Sequence, residues 1–359
     1  MRVLYVINTG LVGGLQAHVK CLMQSLAGVA ETAVAINTEI DPKVVQMFEE
    51  AGLNVYRLRG QSGHDWRVIG RFKRVLADFK PDVIHAHGLP FFCAVWLFFH
   101  RHAPIIHSLH TPPHKPHGKG LLEWFILDRL IDYWFPVSTS TWTEFRRWHP
   151  RAKGEVFFNP LRLSDFNNRT IRTIRTIEQS NNLIVGMVGR NADQKDWPSF
   201  HRVEELVESK FKCAVKSIEQ SNNPNNRTIA TIEFLNAGEK TVCNGREAIA
   251  KMDLFVMTSK HEQLPTTVLE CFALGTPICG FIPVGGTSDI LGFSKGPVRE
   301  AFIAERDCGH LADIVMDILA HSEKRQALVE DGRQILESHF DAEKNCRGRL
   351  MEIYRRFTK

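Results

Sequence analysis

The segment LIVGMVG, residues 183–189, decides the fold because it begins a second series of buried strands in the chain. The segments DLFVMTS (253–259) and TPICGFI (276–282) continue this series, with helical stretches between them. The polar stretch before it, about residues 162–182, contains RTIRTIRTI and shows no sustained apolar periodicity. The second half of the chain therefore predicts a sheet of its own.

The first half already contains an earlier series of strands. Short apolar runs alternate there with amphipathic segments such as HDWRVIGRFKRVLADFK, which are typical of helices. This alternation predicts a parallel, doubly wound sheet. The predicted strands are VLYVI (3–7), TAVAI (32–36), NVYRL (54–58), DVIHAH (82–87), PIIHSLH (104–110) and YWFPVS (133–138).

Length and pattern together predict two Rossmann-like α/β domains. A chain of 359 residues exceeds the size at which one hydrophobic core usually stops growing. We expect a first domain over residues 1–164, a linker over 165–182 and a second domain over 183–340. The last stretch, 341–359, predicts an amphipathic helix whose apolar side requires a partner surface.

Composition excludes several classes of protein. With 43% hydrophobic and 24% charged residues the chain is globular, and its net charge of +5 suits phosphates or an anionic lipid surface rather than nucleic acid. Eight scattered cysteines form no C-x-x-C pair and no compact Cys/His cluster, which argues against zinc or a disulfide framework. The N-terminus MRVLYVINTG lacks a signal peptide, so we expect a cytoplasmic protein.

Ligands of open parallel sheets bind beyond the carboxyl ends of the strands, so the segments that follow strands matter most. The first is NTGLVGGLQAH, in which Gly13 and Gly14 open a helix whose amides face outward for an anion. It lacks the G-x-G-x-x-G spacing of a dinucleotide site. Taken alone, the glycine pair indicates a tight turn as readily as a phosphate site.

The second segment is GRNADQKD, residues 189–196, which places Arg190 and Lys195 beyond the strand LIVGMVG. Two cations at that position suit a diphosphate. A pair of basic residues on a loop is also typical of an ordinary solvated surface, so this segment alone leaves both interpretations open.

The third segment, HEQLPTTVLECFALGTP (261–277), contains two carboxylates separated by seven residues, Glu262 and Glu270. Pro265 and the threonines after it predict a helix that starts near Thr266, with a threonine as its cap. Glu262 then lies in the loop and Glu270 about one turn inside the helix, both directed to one cleft. Glutamates near a helix start are also favoured simply by the helix dipole.

These segments, in this order and followed by G-x-P, resemble the retaining glycosyltransferases of family 4. DVIHAHG, HSLHT and VSTSTW match the first domain of that family in kind and order. The resemblance implies the GT-B fold, in which two Rossmann-like domains face a central cleft. It also implies that the last helix, 341–359, packs back on the first domain. It also implies a role in bacterial cell-surface polysaccharide or lipopolysaccharide synthesis.

The resemblance implies a role for each matching position. His110, in HSLHT, reaches the donor sugar near the reacting carbon, Glu262 holds the sugar hydroxyls and Glu270 holds the ribose. The implied catalytic residues are His110, Glu262, Arg190 and Lys195. The implied residues for binding the nucleotide sugar are Gly13, Gly14, Arg190, Lys195, Leu264, Thr266, Thr267 and Glu270.

The chain departs from the family pattern at several positions. Gln263 stands where glycine is usual, Gln16 and Asp289 stand where glutamate is commoner, and the glycine-rich turn is absent near AVKSIEQSNN. The identity of the donor sugar therefore stays open. Two alternatives remain: a sugar-nucleotide epimerase or hydrolase on the same fold, and a non-catalytic partner subunit. A NAD-dependent dehydrogenase fits worse because the glycine spacing is wrong.

The sequence contains no D-x-D triplet to place a divalent ion on a diphosphate. We therefore expect no metal and no cofactor, with a nucleotide sugar, a UDP-sugar, as the donor substrate. Arg190, Lys195 and the helix mouth near Thr266 and Thr267 would stabilise the leaving diphosphate. The family's front-face route implies that this phosphate takes the acceptor proton.

Segments of the first domain also predict how the acceptor is bound. The apolar segments 91–102 and 120–135 are expected to be mostly core, whereas WTEFRRWHPRAK (142–153) combines cations and tryptophans that suit an anionic membrane. We expect a saccharide or lipid-linked saccharide acceptor, no nucleic acid, and peripheral attachment to the inner face of the plasma membrane.

Overall fold

The computed structural model describes residues 1–8, 13–38, 41–111, 120–166, 182–220, 231–237 and 245–358, with backbone alone for 213–220. The chain forms two compact units. The first comprises Met1–Arg162 and Phe340–Lys359, and the second comprises Leu163–His339. Most of the predicted linker, 165–182, lies outside the described residues.

The first unit contains a parallel sheet of six strands among its described residues, in the order β3-β2-β1-β4-β5-β6. Each predicted strand of the first half is confirmed to within a residue or two at its ends. All neighbouring strands in this sheet are parallel, so their carboxyl ends lie along one edge. The strands are β1 (Arg2–Ile7), β2 (Glu31–Ile36), β3 (Asn54–Arg57), β4 (Val83–Ala86), β5 (Ile105–Leu109) and β6 (Tyr133–Pro136).

Helices cover both faces of this sheet because alternate side chains of each strand point to opposite sides. Leu4 and Val6 belong to one apolar cluster, whereas Tyr5 and Ile7 belong to the other. The helices are α1 (Gly14–Ser25), α2 (Pro42–Glu49), α3 (Val68–Phe79), α4 (Phe91–Phe99), α5 (Gly120–Leu130) and α6 (Thr139–Arg146).

A seventh helix of the first unit comes from the far end of the chain. After two π-helical turns, Leu336–Phe340 and Ala342–Cys346, the chain forms α14 (Arg347–Phe357). Its residues Leu350 and Ile353 are fully buried in the cluster that contains Tyr5. The hydroxyl groups of Tyr5 and Tyr354 lie 3.1 Å apart, so α14 is joined to the sheet by a buried polar contact as well.

The second unit contains a parallel sheet of five strands among its described residues, in the order β13-β11-β9-β7-β8. Strands β10 and β12 form a separate short parallel pair. The strands are β7 (Leu183–Val188), β8 (Ile232–Ala237), β9 (Leu254–Met257), β10 (His261–Glu262), β11 (Ile278–Phe281), β12 (Val284–Gly285) and β13 (Phe302–Ile303).

The second unit also corrects one reading of the sequence. The glycine-rich turn that the family has after its next strand was sought near AVKSIEQSNN, but most of that segment is the end of a 24-residue helix, α7, and the next strand is β8, further along. The error arose because a polar segment shows little difference between the apolar and polar faces of a helix. The helices are α7 (Trp197–Gln220), α8 (Gly245–Ile249), α9 (Thr266–Leu274), α10 (Thr287–Gly292), α11 (Pro297–Glu300), α12 (Cys308–Ala320) and α13 (Ser322–Ile335).

Candidate active site

In the second unit, the structure brings together two predicted site residues that lie 67 positions apart. Lys195 ends a short 3₁₀ turn, Asp193–Lys195, after β7, and Glu262 ends β10. Lys195 Nζ donates to Glu262 Oε1 at 2.5 Å. The side chains are only 15% and 9% exposed, so this ion pair is largely removed from water. Charge-assisted bonds are stronger there than at a solvated surface.

The backbone of Glu262 is fixed by the second half of the short strand pair. Gly286 N–H donates to the Glu262 carbonyl at 2.8 Å. Gly285 has a φ of +127°, and a Cβ on it would lie 1.9 Å from that same carbonyl oxygen. A side chain at position 285 is therefore excluded by both conformation and contact. The two glycines of PVGGTSD hold Glu262 in place.

The turn that carries Lys195 is fixed by Asp196, which has a left-handed φ of +54°. Burial disfavours ionisation of this carboxylate, but hydrogen bonds from Ser199 and Arg306 outweigh it and lower its pKa. Arg306 also donates to the backbone carbonyls of Thr258 and Ser259, at the end of β9. One guanidinium thus ties together two strand-end loops. Arg306 was not predicted, since it lies far along the chain from both loops.

Helix α9 begins at Thr266 as predicted, but its capping differs from the prediction. Pro265 occupies the cap position and provides no side-chain hydrogen bond, so the expected threonine cap is wrong. The first amides of a helix have no acceptor within the helix, and those of Thr266 and Thr267 remain suited to an anion. Leu264 is buried just before this mouth.

Glu270 lies one turn inside α9 and has a cationic partner of its own. Arg246 Nε donates to Glu270 Oε1 at 3.0 Å, and the Arg246 guanidinium lies 4.5 Å from the centre of the Phe166 ring. Arg246 was not predicted, because it lies in a polar segment with no local signal, within the short helix α8. Each of the two predicted carboxylates is therefore paired with a different cation.

Arg190 lies on the loop directly after β7 and is exposed. Its carbonyl accepts a hydrogen bond from the indole N–H of Trp197 at 3.2 Å. Because Trp197 is buried, that bond fixes the backbone at position 190 while the guanidinium extends into solvent. The residue is placed to meet an anion that arrives at this strand end.

In the first unit, Gly13 and Gly14 mark the start of α1. Gly13 is the cap residue, with an extended φ of −178° that any residue adopts. A Cβ on Gly13 would lie 3.6 Å from a side-chain oxygen of Gln16, an ordinary contact. Neither backbone conformation nor packing demands a glycine at position 13. The role predicted for the pair, close approach of a phosphate, remains a prediction.

His110 lies at the end of β5 within a cluster of imidazoles. His87 Nδ1 and His110 Nε2 are 2.9 Å apart, and the His18 ring lies 5.3 Å from each of the other two rings. His18 comes from α1 and His87 follows β4, so three segments converge on one point. His18 and His87 are 4% and 5% exposed, whereas His110 is half-buried. The repeated His in DVIHAHG was the available signal for His87.

Burial keeps this cluster neutral. It lowers the pKa of His110 to about 3, with a smaller contribution from His107, and lowers the pKa values of His18 and His87 well below the usual value. Neutral imidazoles act as hydrogen-bond donors and acceptors rather than as charges. His110, the half-exposed member of the cluster, can therefore orient a hydroxyl group.

Two family models match the chain. The model described as Glycosyltransferase Family 4 matches residues 12–164, and that described as Glycosyl transferases group 1 matches residues 230–335. The 2-deoxystreptamine N-acetyl-D-glucosaminyltransferase of Streptomyces fradiae is 30% identical over 118 residues, which cover 30% of this chain. The matched part spans 28% of that relative's length.

Solved structures of glycosyltransferases share the whole architecture. HepE of Anabaena in complex with UDP-glucose has a TM-score of 0.72 at 16% identity, covering 99% of this chain and all of that one. A glycosyltransferase of Rickettsia africae gives 0.73 at 13% identity, with coverages of 99% and 98%. TarM of S. aureus, in complex with UDP, gives 0.70 at 10% identity, with coverages of 98% and 99%. These likenesses confirm the predicted GT-B fold.

Proposed function

Since the chain belongs to the family 4 glycosyltransferases and has the GT-B fold, we propose that it moves a sugar from a UDP-sugar to a saccharide or lipid-linked saccharide acceptor. The anomeric configuration is retained in this proposal. The observation that carries it is the buried pair of Lys195 and Glu262, which brings a cation and a carboxylate to one strand edge of the second unit.

Lys195 is suited to the diphosphate of the donor. An ammonium group has three donors, and Glu262 accepts one of them, so the others are available for phosphate oxygens. Negative charge grows on the diphosphate as the sugar leaves, and a fixed cation in a water-poor site stabilises that charge. Arg190 and the amides of Thr266 and Thr267 would add to this stabilisation. The protein itself thus supplies the positive charge.

The two glutamates are suited to opposite ends of the donor. Glu262, fixed beside Lys195, accepts hydrogen bonds from sugar hydroxyls as positive charge develops at the anomeric carbon. Glu270, held by Arg246, accepts from the ribose hydroxyls. In both cases a hydrogen bond from a cation orients the carboxylate before the ligand arrives.

His110, on the first unit, is the residue that the family resemblance assigns to the donor sugar. A neutral imidazole there donates or accepts a hydrogen bond at the donor sugar without adding charge near the reacting carbon. The departing phosphate takes the proton of the acceptor hydroxyl, so neither a separate base nor a covalent nucleophile is required. This step is the front-face route of the family. The resemblance implies it for this chain, as it implies the role of His110.

The proposed lipid-linked acceptor agrees with an exposed apolar surface on the first unit. Phe99 is 73% exposed at the end of α4, and Leu121, Leu122 and Phe125 are 50%, 56% and 41% exposed on α5. We call these four residues the apolar patch. The two helices pack together, with the rings of Phe98 and Phe125 6.4 Å apart. These segments were predicted to be mostly core, and the patch is the part of them that lies outside the core.

Cations border the apolar patch and favour an anionic membrane as its partner. The guanidinium of Arg129 lies 3.8 Å from the centre of the Phe125 ring, and Lys73 Nζ lies 5.4 Å from that of Trp96 on α4. In contrast, Trp142 of the segment first expected at the membrane packs against the core. Among the described residues, no helix has the length and apolarity needed to cross a membrane. The proposal is therefore peripheral attachment through α4 and α5.

Vesicle sedimentation tests this attachment. We expect the double substitution Phe99→Ser and Leu122→Ser to weaken binding to vesicles that contain phosphatidylglycerol by about tenfold or more, because each side chain contributes roughly 1.5–3 kcal/mol on burial. Val29→Ser, at a 43% exposed position outside the patch, is the matched control. Equal sedimentation of the double variant and wild type would contradict membrane attachment through the apolar patch.

The function itself is tested with a panel of nucleotide sugars. A ligand that binds only the folded state raises the melting temperature, so the panel identifies the donor without knowledge of the acceptor. Incubation of that donor with candidate acceptors and NMR of the product then give the anomeric configuration. Stabilisation by UDP-sugars with transfer and retention is expected. Release of free sugar alone, with no acceptor product, would indicate a hydrolase and contradict the proposal.

A further inference from the structure

The imidazoles of the first unit have a geometry that goes beyond hydrogen bonding. One nitrogen from each of His18, His87 and His110 lies within 4.8 Å of the other two. The three residues come from α1 and from the ends of β4 and β5, so the sheet edge itself brings them together. Their wide separation in sequence explains why a search for compact Cys/His spacing found no candidate.

Two nitrogens in this cluster have no partner within the described part of the chain. They are His18 Nδ1 and His87 Nε2, and both are buried. An unpaired buried polar atom costs about 1–3 kcal/mol, so such atoms usually have a ligand or a functional reason. Both unpaired atoms belong to rings of this cluster, and on His87 the nitrogen that faces His110 is Nδ1, which is already paired.

We propose that His18, His87 and His110 bind a divalent transition-metal ion of the zinc class. Imidazole nitrogen is a preferred donor for this class, and three imidazoles with an open fourth position form a recurrent set. A tetrahedral ion with bonds of about 2.0–2.1 Å holds its donors roughly 3.3 Å apart. The pair of His87 and His110, at 2.9 Å, is already near this spacing. The His18 nitrogen, within 4.8 Å of the other two, must move closer to complete the set, and half-buried His110 leaves a route of entry.

The expected consequence of metal binding is inhibition, and this part rests on the proposed function. An ion held by His110 occupies the imidazole that is proposed to orient the donor sugar. The ion is therefore an inhibitory ligand of this site. It needs no part in the transfer reaction, for which the second unit supplies the positive charge.

Calorimetry with Zn²⁺ alone, without nucleotide sugar or acceptor, tests the site independently of catalysis. Wild type is expected to bind one ion with high affinity, and Co²⁺ in its place is expected to give the visible absorption bands of a tetrahedral complex. His18→Asn and His110→Asn should each weaken this binding by more than about tenfold, since each removes a ligand. His64→Asn, at an exposed histidine of the same unit, should bind as wild type does.

Two positions, one buried and one half-buried, are varied so that the test stands even where one variant fails to fold, and melting curves identify the folded variant. Unchanged zinc affinity in a folded variant of either position would overturn the site. In a transfer assay, zinc should lower the rate of wild type, and EDTA should restore it. Tight binding with a full transfer rate would overturn the inhibition and count against His110 at the sugar, while the metal site would stand.

Discussion

The two units have similar parallel sheets, yet their strand edges carry opposite kinds of chemistry. The edge of the first unit carries neutral imidazoles that contact one another, including His87 and His110. The edge of the second carries ion pairs, of which Lys195 with Glu262 is the most buried of those that involve predicted site residues. Both edges come from the same backbone arrangement. The difference therefore arises entirely from the residues that follow each strand.

This contrast teaches how one fold divides the work of sugar transfer. A diphosphate requires fixed positive charge, and the second unit holds its cations with carboxylates that lie beside them. A sugar hydroxyl requires donors and acceptors without net charge, and burial provides these in the first unit by keeping His110 unprotonated. If this division is correct, the units should respond differently to acid, substitution and chelation.

Acid should separate the two units most strongly. Burial lowers the pKa values of five histidines on α1, on β4 and β5 and directly after these two strands, so below the unfolded value of about 6.5 the unfolded state binds protons that the native state does not. Their contribution is fully present above that value and is lost as the pH falls, until native His107 titrates near 4 and His110 near 3. The five are His18, His85, His87, His107 and His110.

Each such histidine should remove about 1.4 kcal/mol of unfolding free energy per pH unit, so the first unit should lose several kcal/mol per unit below about pH 6. Tryptophan fluorescence follows this unit, because six of the seven tryptophans precede residue 163. Denaturant unfolding at several pH values measures the slope. His107→Leu should flatten it by one histidine's share, and an unchanged slope would contradict the account.

Lys195→Met should have the next largest effect, on catalysis. Loss of the cation beside the diphosphate is expected to lower kcat/KM by roughly a hundred- to a thousandfold, or about 2.7–4 kcal/mol. Lys260→Met is the matched control, because Lys260 lies nearby but pairs with the exposed Asp193 at 2.7 Å. Steady-state kinetics on both variants decide the matter. Similar losses in both would mean that this edge responds to net charge alone.

The two glutamates should separate binding from turnover. Glu270→Ala is expected to weaken UDP binding by about ten- to a hundredfold, since a charge-assisted hydrogen bond contributes about 1.5–3 kcal/mol. Glu262→Ala should leave UDP affinity nearly intact while it lowers turnover, because its contact is to the sugar. Calorimetry with UDP, together with kinetics, measures both. Equal, small effects in both assays would identify the pair as ordinary surface glutamates.

Chelation should have the smallest effect on transfer. The second unit provides cations for the diphosphate, so turnover in metal-free buffer should be unchanged by excess EDTA. Initial rates with and without the chelator measure this directly. A rate that falls with EDTA and returns with magnesium or manganese would show that the ion pairs of this edge are insufficient.

The sequence predicted the six strands of the first sheet and β7, β9 and β11 of the second, because buried parallel strands are local apolar runs with clear ends. It located the helix start at Thr266 for the same local reason. It failed at β8 and α7, where the surrounding segment is polar and gives weak contrast. Local pattern was thus sufficient only for elements with strong periodicity.

The candidate site shows the limits of sequence more clearly. The motif positions Lys195 and Glu262 were predicted, but the cations that position this edge, Arg246 and Arg306, carry no local signal. Arg306 reaches Asp196 from 110 residues away, and only the sheet order brings them together. The apolar patch was missed for a related reason, since exposure of a helix face depends on its neighbours.

The position of α14 has a consequence for how the chain is made. The hydroxyl groups of Tyr5 and Tyr354 meet across 349 positions of sequence, and both side chains are fully buried. During synthesis the first sheet emerges early, but the face that α14 covers stays open until the entire second unit has left the ribosome. Such late, long-range closure slows folding and leaves apolar surface exposed to aggregation. The nascent first unit is therefore a natural client for chaperones that shield unfinished domains.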